Sequence, residues 1–484
     1  MNPAAGFAAL AAVCAATVLI GIYGLRISRT TGDFYVASRT VPPWWNASAI
    51  GGEYLSAASF LGVAGLILVS GLHGLWFPIG YTAGYLMLLL FVAAPLRRSG
   101  AYTVPDFAAA RLDSRPARLV TSAVVVVVGW LYIVPQLHGA ALTVRITTGL
   151  PGWAGAAAVV LVVVCSVVTG GMRSITFVQA FQFWLKLTAL AVPLFFILLA
   201  LGSGSRPVDT GGAFLPGAGP LPVYGTISLL VALLFGTLGL PHVLVRFYTN
   251  PNGPAARRTT VIVLGLLSVF YLFPTVYGVL GRVHTADLAA AGQADATVLL
   301  LPGRVVGGMA GDLLTALVTA GAFAAFLSTT SGLVVSLAGV VSQDLFRGSV
   351  KGFRRAAVLS ALVPLAVALS TDSLALAGSV GTVFAFTAST ICPLLLLGIW
   401  WRGLTDAGAI TGMLAGALLS GGAILLAAVF GTGLGPFREL LEQPAAWSVP
   451  AAFLVTIAVS RATAPRRPAS VSRMMARLHA PERT

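Results

Sequence analysis

Long apolar stretches separated by short polar loops run along the whole 484-residue chain. A helix that crosses a hydrocarbon layer of about 30 Å needs roughly 20 mostly apolar residues, because every backbone polar group must be satisfied within the segment. Thirteen stretches meet this requirement, the tenth being short enough to need support from its neighbours. They cover residues 5–25, 44–71, 74–95, 117–143, 153–171, 176–201, 224–247, 259–281, 305–342, 356–370, 376–400, 407–430 and 447–460.

Composition agrees with a membrane location. Hydrophobic residues make up 57% of the chain and charged residues 9%, against about 25% charged in an ordinary globular protein. The mean hydropathy is +0.93, which excludes a soluble enzyme of this size. Cys14, Cys165 and Cys392 all lie inside apolar stretches, so they do not indicate an extracellular disulfide framework.

The net charge of +15 would suggest a nucleic-acid partner in a soluble protein, so the position of the charges decides its meaning. If the amino terminus lies outside, 23 of the 29 Lys and Arg residues fall on the inner side, as the positive-inside rule requires. The first stretch is followed by Arg26 and Arg29 with no basic residue before it, the reverse of a signal peptide. We therefore expect a multi-pass protein of the inner or plasma membrane with a cytoplasmic carboxyl terminus. Its basic face would meet anionic lipid and not nucleic acid.

Two parts of the chain differ from the apolar stretches. Between Tyr102 and Arg118, apolar residues at helical spacing alternate with charges, which predicts a short helix on the inner surface. The outer stretch 202–222 is rich in Gly, Pro and Ser and predicts a linker. The sequence contains no Walker motif and no Cys/His cluster, so it supports neither an ATP-driven pump nor an enzyme.

Two of the apolar stretches are interrupted in the middle. The second contains Gly51, Gly52 and Glu53, and the seventh contains Gly236, Gly239, Leu240 and Pro241. Transporters built from inverted repeats place substrate and ion sites at such breaks near the bilayer midplane. If stretches 2–6 and 7–11 are two five-helix repeats, each break falls in the first helix of its repeat. Gly and Pro are common in membrane helices, so spacing alone also allows two ordinary helices.

The residues around these breaks resemble a known family. Ala325 to Thr329, continuing to Asp344, is similar to the eighth core helix of the sodium:solute symporter family, and Gly239 to His242 resembles that family's sixth core helix. The stretch Ala49-Ile-Gly-Gly-Glu-Tyr-Leu-Ser-Ala-Ala-Ser-Phe-Leu-Gly is similar to the first core helix of the acetate (monocarboxylate) permease branch. The resemblance covers residues 5–460.

The resemblance implies an all-α polytopic membrane protein with about thirteen transmembrane helices around a five-plus-five inverted-repeat, LeuT-like core. The implied organisation is an extra amino-terminal helix and inner loop (1–43), a first repeat with core helices one to five (44–201), an outer linker (202–223), a second repeat with core helices six to ten (224–400), two extra carboxyl-terminal helices (401–461) and a basic cytoplasmic tail (462–484).

The resemblance also implies a sodium ion, transported as the coupling ion, between core helices one and eight. By motif match its ligands are carbonyl or hydroxyl oxygens of Gly52, Leu55, Ala325, Ser328 and Thr329. Five neutral oxygens can replace the hydration shell of a monovalent cation without burying a carboxylate. The alternative is that Ser328 and Thr329 only bond back to carbonyls one turn earlier in their helix.

Several further polar residues lie within apolar stretches. Some family members carry an Asp that serves a second sodium on core helix five, where this chain has the uncharged Gln179; a second site is therefore not expected. Glu53 is a candidate gate or proton acceptor, or else a hydrogen-bonding group that holds the broken helix together. Lys186 either extends to the inner interface or attracts an anionic substrate.

The pocket itself is predicted around the helix ends, whose N–H groups suit a carboxylate. His242 is a candidate substrate or proton-relay group, or caps the backbone near Pro241. Arg246 is expected at the inner mouth, as a gate or a lipid contact. The candidate substrate-binding residues are Ser56, Ser59, Tyr132, Gln136, Thr237 and Gly239.

Together with the resemblance, these features predict a secondary symporter driven by sodium through alternating access, and the resemblance to the acetate permease branch implies that it imports a small monocarboxylate such as acetate or pyruvate. Proton coupling and other solutes of the family, such as proline, remain open. An ion channel would need a repeated filter loop, and a sensor module would need a cytoplasmic signalling domain. The sequence does not determine the oligomeric state.

Overall fold

The computed structural model describes residues 3–25, 37, 40–202, 223–346, 348–371, 376–430, 433, 435 and 437–480. The predicted outer linker, apart from its two end residues, lies outside the described residues, as do most of the predicted inner loop and the last four residues of the tail. Within the described ranges, the regular secondary structure is entirely helical.

The α-helices, numbered in chain order, are α1 Pro3–Leu25, α2 Pro43–Tyr54, α3 Val63–Ser70, α4 Trp76–Phe91, α5 Ala93–Arg98, α6 Val104–Leu112, α7 Arg115–Thr148, α8 Gly152–Gly202, α9 Val223–Gly239, α10 Pro241–Phe247, α11 Gly253–His284, α12 Ala286–Ala290, α13 Thr297–Val305, α14 Gly308–Leu345, α15 Val350–Ser370, α16 Leu376–Trp400, α17 Asp406–Gly416, α18 Gly422–Phe430, α19 Arg438–Glu442, α20 Ala445–Ala462 and α21 Val471–His479. Short π-helical segments, Ala58–Gly62 and Ala417–Gly421, precede α3 and α18.

Among the described residues, ten helical segments are long and apolar enough to cross a bilayer, and the bent pair α9 and α10 makes one more. Two of the ten are composite. Helix α8 has 51 residues and turns at Gly171, where φ is 57°; a straight helix of that length would measure about 77 Å, more than twice the bilayer core. The segment Ala58–Phe91 is likewise interrupted at Gly71, where φ is 62°. Splitting both at these glycines, and joining α2 to the short piece Ala58–Ser70 that follows it, gives thirteen segments within the described ranges, the number that the hydropathy predicts.

Helix α15 is longer than its apolar stretch. It begins at Val350, six residues before the predicted start, and has 21 residues. The Ser349 hydroxyl accepts a hydrogen bond from the Gly352 N–H at 3.0 Å and caps the first turn. The first turns carry Lys351, Arg354 and Arg355, which a hydropathy window excludes although they belong to the same helix. The expectation that the tenth helix is too short was therefore wrong.

Both predicted breaks are present. Helix α2 ends at Tyr54, and Leu55 leaves the helical conformation with φ −74° and ψ 83°. Helices α9 and α10 meet at an angle of 46° across Leu240, which is extended. The half-helices α2 and α10 pack against each other, so the two breaks lie close together in the fold.

Helix α14 forms the centre of the bundle. It packs against α8, α7, α15 and α2, and 94% of its most apolar window is buried inside the protein. Helix α9 instead packs against α16 and α4. The first break therefore lies between α8 and α14. The second break lies between α14 and the packed pair of helices α9 and α16.

The predicted surface helix is α6, which Thr103 and Asp106 open with a reciprocal capping box. Its apolar positions, including Phe107 and Leu112, are buried as the spacing predicts. Arg111, one of the charged residues between these apolar positions, is also fully buried. Its guanidinium donates to the carbonyl oxygens of Gly398 at 2.8 Å and Trp401 at 2.9 Å, and so it satisfies the carboxyl end of α16.

Candidate functional site

The first break is built around the ammonium group of Lys186. This side chain extends from α8, and its Nζ donates hydrogen bonds to the carbonyl oxygen of Gly52, to that of Leu55 at 2.7 Å and to the Ser328 hydroxyl at 3.0 Å. Lys186 is 0% exposed, so the interpretation that it reaches the inner interface was wrong. The carbonyls belong to the end of α2, where no further helical N–H groups are available to them.

The remaining two predicted sodium ligands, Ala325 and Thr329, contact groups other than Lys186. The Ser328 hydroxyl donates back to the Ala325 carbonyl oxygen at 3.0 Å, as the alternative interpretation of this residue proposed. The Thr329 hydroxyl donates to the Glu53 carbonyl oxygen at 2.7 Å, across to the broken helix. The five predicted residues are thus brought together between α2 and α14, and three of them supply oxygens to Lys186.

A buried ion pair joins the two half-helices. The Nε of Arg246, on α10, donates to Oε2 of Glu53, on α2, at 2.7 Å, with the two side chains 0% and 1% exposed. Arg246 also donates to the Thr176 hydroxyl at 2.7 Å and to the amide oxygen of Gln179. Arg246 is fully buried, so the interpretation that it contacts lipid was wrong, whereas its role as a gate at the inner mouth stays a prediction. Glu53 has the position expected of a group that holds the broken helix.

Gln179 connects this ion pair to α14. Its amide oxygen accepts from Arg246, and its Nε2 donates to the Ser328 carbonyl oxygen at 2.8 Å. An uncharged amide can accept from Arg246 and donate to Ser328 because it carries both an acceptor and a donor. An ionised carboxylate in the same place could accept but could not donate. Gln179 therefore occupies a bridging position between the ion pair and α14.

The second break leaves polar groups unsatisfied. His242, the second residue of α10, is 0% exposed, and neither ring nitrogen has a hydrogen-bond partner among the described residues. The capping role near Pro241 was therefore wrong. Its ring lies 5.1 Å from the ring of Tyr132, which belongs to α7.

A group of buried tyrosines continues from Tyr132 towards α4, with Phe384 at its centre. The Phe384 ring is 6.0 Å from Tyr132, 5.1 Å from Tyr81 and 6.5 Å from Tyr54, and Tyr54 lies 4.5 Å from Tyr85. Within the described part of the chain, the hydroxyl oxygens of Tyr81 and Tyr85 have no hydrogen-bond partner. We call these five aromatic residues together with His242 the aromatic cluster.

The other predicted pocket residues lie around this cluster with their own partners. Ser59 pairs with the Tyr271 hydroxyl at 2.9 Å, and Gln136 accepts from the Ala57 N–H at 2.9 Å, which caps the helix after the first break. Thr237 donates to the Leu233 carbonyl oxygen at 2.7 Å and lies 3.2 Å from the Tyr54 hydroxyl. Ser56 and Gly239 are buried beside the two breaks.

Sequence reasoning missed most of the aromatic cluster. Of its members only Tyr132 and His242 were predicted, whereas Tyr54, Tyr81, Tyr85 and Phe384 were not. Tyr81 and Tyr85 are four residues apart on one face of an otherwise apolar helix. Paired hydroxyls at that depth in a membrane helix were a usable signal.

A cavity of about 390 Å³ lies on the far side of Phe77, which contacts Tyr81 at a ring distance of 6.0 Å. Asp295 and Arg145 line it. Burial raises the pKa of the Asp295 carboxyl, whose Oδ2 accepts a hydrogen bond from the Leu376 N–H at 2.9 Å. The position of this cavity fits an access route to the aromatic cluster from the side predicted to be outer.

Comparison with protein families gives a match over most of the chain. The model of the sodium:solute symporter family matches residues 34–416. The chain is also 32% identical over 429 residues to an uncharacterized symporter, YwcA, of Bacillus subtilis (strain 168), covering 84% of this chain and 83% of that protein.

Solved structures are similar in fold. A Na+-coupled sialic acid symporter in a substrate-bound, outward-open state has a TM-score of 0.75 at 16% identity, covering 95% of this chain and 97% of that chain. Mhp1, a nucleobase-cation-symport-1 family transporter in a closed conformation with bromovinylhydantoin bound, has a TM-score of 0.59 at 15% identity, covering 92% and 98%. These likenesses confirm the predicted fold class.

Proposed function

Because the chain belongs to the sodium:solute symporter family, we propose that it imports a small monocarboxylate of the acetate or pyruvate type by alternating access. It is a membrane transporter and not an enzyme, and sodium is its coupling ion. The proposal concerns the solute, the residues that bind it and the direction of transport.

The unpartnered polar atoms of the aromatic cluster carry the proposal. A buried donor without a partner costs about 1–3 kcal/mol, so such groups are retained where a ligand satisfies them. A neutral His242 offers one N–H, and Tyr81 and Tyr85 each offer one O–H. A carboxylate accepts up to about four hydrogen bonds on two oxygens, which makes it a suitable ligand for these donors.

The packing of the cluster favours a small acid. His242 and Tyr85 are 0% exposed and Tyr81 is 2% exposed, so the site is closed to solvent on both sides. The short apolar part of acetate or pyruvate suits the faces of Phe384 and Tyr132. A larger, polar solute would need hydrogen-bonding groups that these rings do not supply.

The broken helices supply the moving parts of the proposed mechanism. Their halves α2 and α10 are joined by the pair between Glu53 and Arg246 and by the Asn46 side chain, which donates to the Arg246 carbonyl oxygen at 3.0 Å. This joint closes the side that the charge bias predicts to be cytoplasmic. Release of solute inward requires these contacts to separate, as one bundle rocks against the other.

Uptake of labelled acetate into proteoliposomes tests the proposal. A sodium gradient should drive uptake, and unlabelled acetate or pyruvate should compete while proline should not. The His242→Ala variant should lose at least about tenfold in kcat/KM, since one hydrogen bond to a charged group is worth about 1.5–3 kcal/mol.

The matched control is His284→Ala. His284 lies at the end of α11, outside the aromatic cluster, and its backbone carbonyl, which accepts from Arg304 at 3.2 Å, survives the substitution. Uptake by this variant should be unchanged. Full acetate transport by His242→Ala, or competition by proline in place of the acids, would contradict the proposed substrate.

A further inference from the structure

We propose that Lys186 is a tethered cation at the predicted sodium site, so that its ammonium and a sodium ion exclude each other there. The ammonium nitrogen lies at the point on which the carbonyl oxygens of Gly52 and Leu55 and the Ser328 hydroxyl converge. Those are three of the five residues predicted to hold sodium. The inference concerns the ion site of the proposed symporter, but its test needs no substrate.

An ammonium group can hold the same oxygen atoms together that a bound sodium ion would hold. It carries the same single charge, and its three N–H groups satisfy three oxygens that would otherwise be unpaired in a buried site. Its three hydrogen bonds go to three different acceptors: Gly52 in α2, Leu55 directly after α2, and Ser328 in α14. The side chain of α8 therefore holds the broken helix against α14 without any bound ion.

The charges around the first break oppose the addition of a second cation. The buried charged side chains here are Glu53, Arg246 and Lys186, and the carboxylate of Glu53 is already paired with Arg246 at 2.7 Å. With all three ionised, the group has one excess positive charge. Only Glu53 supplies a carboxylate among the described residues of this site; its Oε2 is paired with Arg246, although its Oε1 has no hydrogen-bond partner. A sodium ion beside Lys186 would raise the excess to two positive charges in a buried site, which is unfavourable.

The space at this site also excludes a sodium ion while the Lys186 ammonium is in place. The oxygens that accept from Lys186 lie at hydrogen-bonding distance from a single nitrogen, so the space between them is filled. The alternative ligand Thr329 has its hydroxyl directed at the Glu53 carbonyl oxygen, 2.7 Å away. Sodium can reach Gly52, Leu55 and Ser328 only after the ammonium withdraws.

Removal of the ammonium should create a better sodium site. In Lys186→Met the carbonyl oxygens of Gly52 and Leu55 lose their donor, and a sodium ion can replace it. Because the ammonium fills this site in the wild-type chain, sodium binding that depends on Ser328 should appear only in the variant. Binding then raises the melting temperature of the variant.

The experiment is a thermal unfolding series on the purified full-length chain in nanodiscs, with sodium chloride exchanged for choline chloride at constant ionic strength. Lys186→Met should gain a sodium-specific stabilisation that is lost when Ser328→Ala is added. In the wild-type chain, any sodium response should survive Ser328→Ala. Lys351→Met is the matched control: it removes the chain's other lysine, exposed at the start of α15, and should respond as the wild type does.

Two results would overturn the inference. One is sodium binding by the wild-type chain that Ser328→Ala abolishes while Lys186 is intact. The other is a folded Lys186→Met variant without a Ser328-dependent sodium response. If Lys186→Met does not fold, the same sodium series on Lys186→Gln replaces it. The comparison of the wild-type chain with its Ser328→Ala variant also still tests the inference. Failure of acetate uptake would contradict the proposed function and leave these outcomes unaffected.

Discussion

At the first break, between α2 and the π-helical segment before α3, the chain supplies its own partner, since Lys186 donates to the carbonyl oxygens of Gly52 and Leu55. At the second break, between α9 and α10, the chain supplies none for His242, whose two ring nitrogens have no partner among the described residues. Both breaks are buried equally deeply, with Lys186 and His242 each 0% exposed.

The contrast separates two uses of an interrupted membrane helix. A break whose free backbone carbonyl oxygens accept hydrogen bonds from a side chain of the protein, as those of Gly52 and Leu55 do from Lys186, is a joint, which fixes the arrangement of the half-helices. A break whose polar groups are left unsatisfied is prepared for a ligand, because a ligand restores the lost hydrogen bonds. Substitutions at the joint should therefore change stability, whereas substitutions in the aromatic cluster should change affinity.

The largest effect is expected at the ion pair that ties the two breaks together. Arg246→Met leaves Glu53 buried without its partner, and removal of one member of a buried pair typically costs about 3–5 kcal/mol. Unfolding of the variant by titration with SDS in mixed micelles should show a loss of this size. Arg304→Met is the control, since its pair with Asp287 is 36% and 61% exposed and contributes little.

The double variant Glu53→Gln, Arg246→Met sharpens this prediction. It removes both charges, so part of the stability lost in Arg246→Met should return. A double variant as unstable as the sum of the two single variants would show that the charges do not interact. The ion pair between Glu53 and Arg246 would then not be what holds α2 and α10 together.

A smaller loss is expected where the first break packs most closely. A Cβ added at Gly52 would lie 2.2 Å from the Gln179 carbonyl oxygen, and backbone atoms cannot move aside cheaply. Gly52→Ala should therefore lower the free energy of unfolding by about 1–3 kcal/mol. At Gly265, on α11, no heavy atom lies within 4 Å of the added Cβ. Gly265→Ala should leave the stability unchanged or raise it by up to about 1 kcal/mol, and a loss equal to that of Gly52→Ala would contradict the packing argument.

Much of the fold could be predicted from the sequence because the bilayer imposes a simple length rule. The thirteen apolar stretches, and the breaks near Gly52 and Leu240, follow from hydropathy and the placement of Gly and Pro. The rule fails at helix ends such as Val350, where basic residues continue a helix beyond its apolar part. It also cannot show which charged residues are buried, as Arg111 and Arg246 illustrate.

The site was harder to predict because its contacts join residues far apart in the chain. Gly52 and Ser328 could be named from a motif, but nothing local to Lys186 indicates that its ammonium extends to both. The same holds for Glu53 and Arg246, which are separated by 193 positions. The resemblance predicts which residues form an ion site, whereas the contacts of the Lys186 ammonium with three of them became evident only from the three-dimensional structure.

The smallest effect is expected from single hydroxyl groups. The hydroxyl of Tyr85 has no partner among the described residues, so Tyr85→Phe should not reduce stability. If that hydroxyl donates to the substrate, the variant should raise the KM for acetate about tenfold, which corresponds to about 1.4 kcal/mol of lost binding free energy. The hydroxyl of Tyr277, also buried, donates to the Leu190 carbonyl oxygen at 3.2 Å. Tyr277→Phe should therefore lose about 0.5–1.5 kcal/mol of stability with an unchanged KM. Initial uptake rates over a range of acetate concentrations, with melting temperatures of both variants, would measure the two effects. The reverse pattern, with Tyr85→Phe destabilised and Tyr277→Phe impaired in KM, would show that the aromatic cluster stabilises the fold and is not the place where substrate binds.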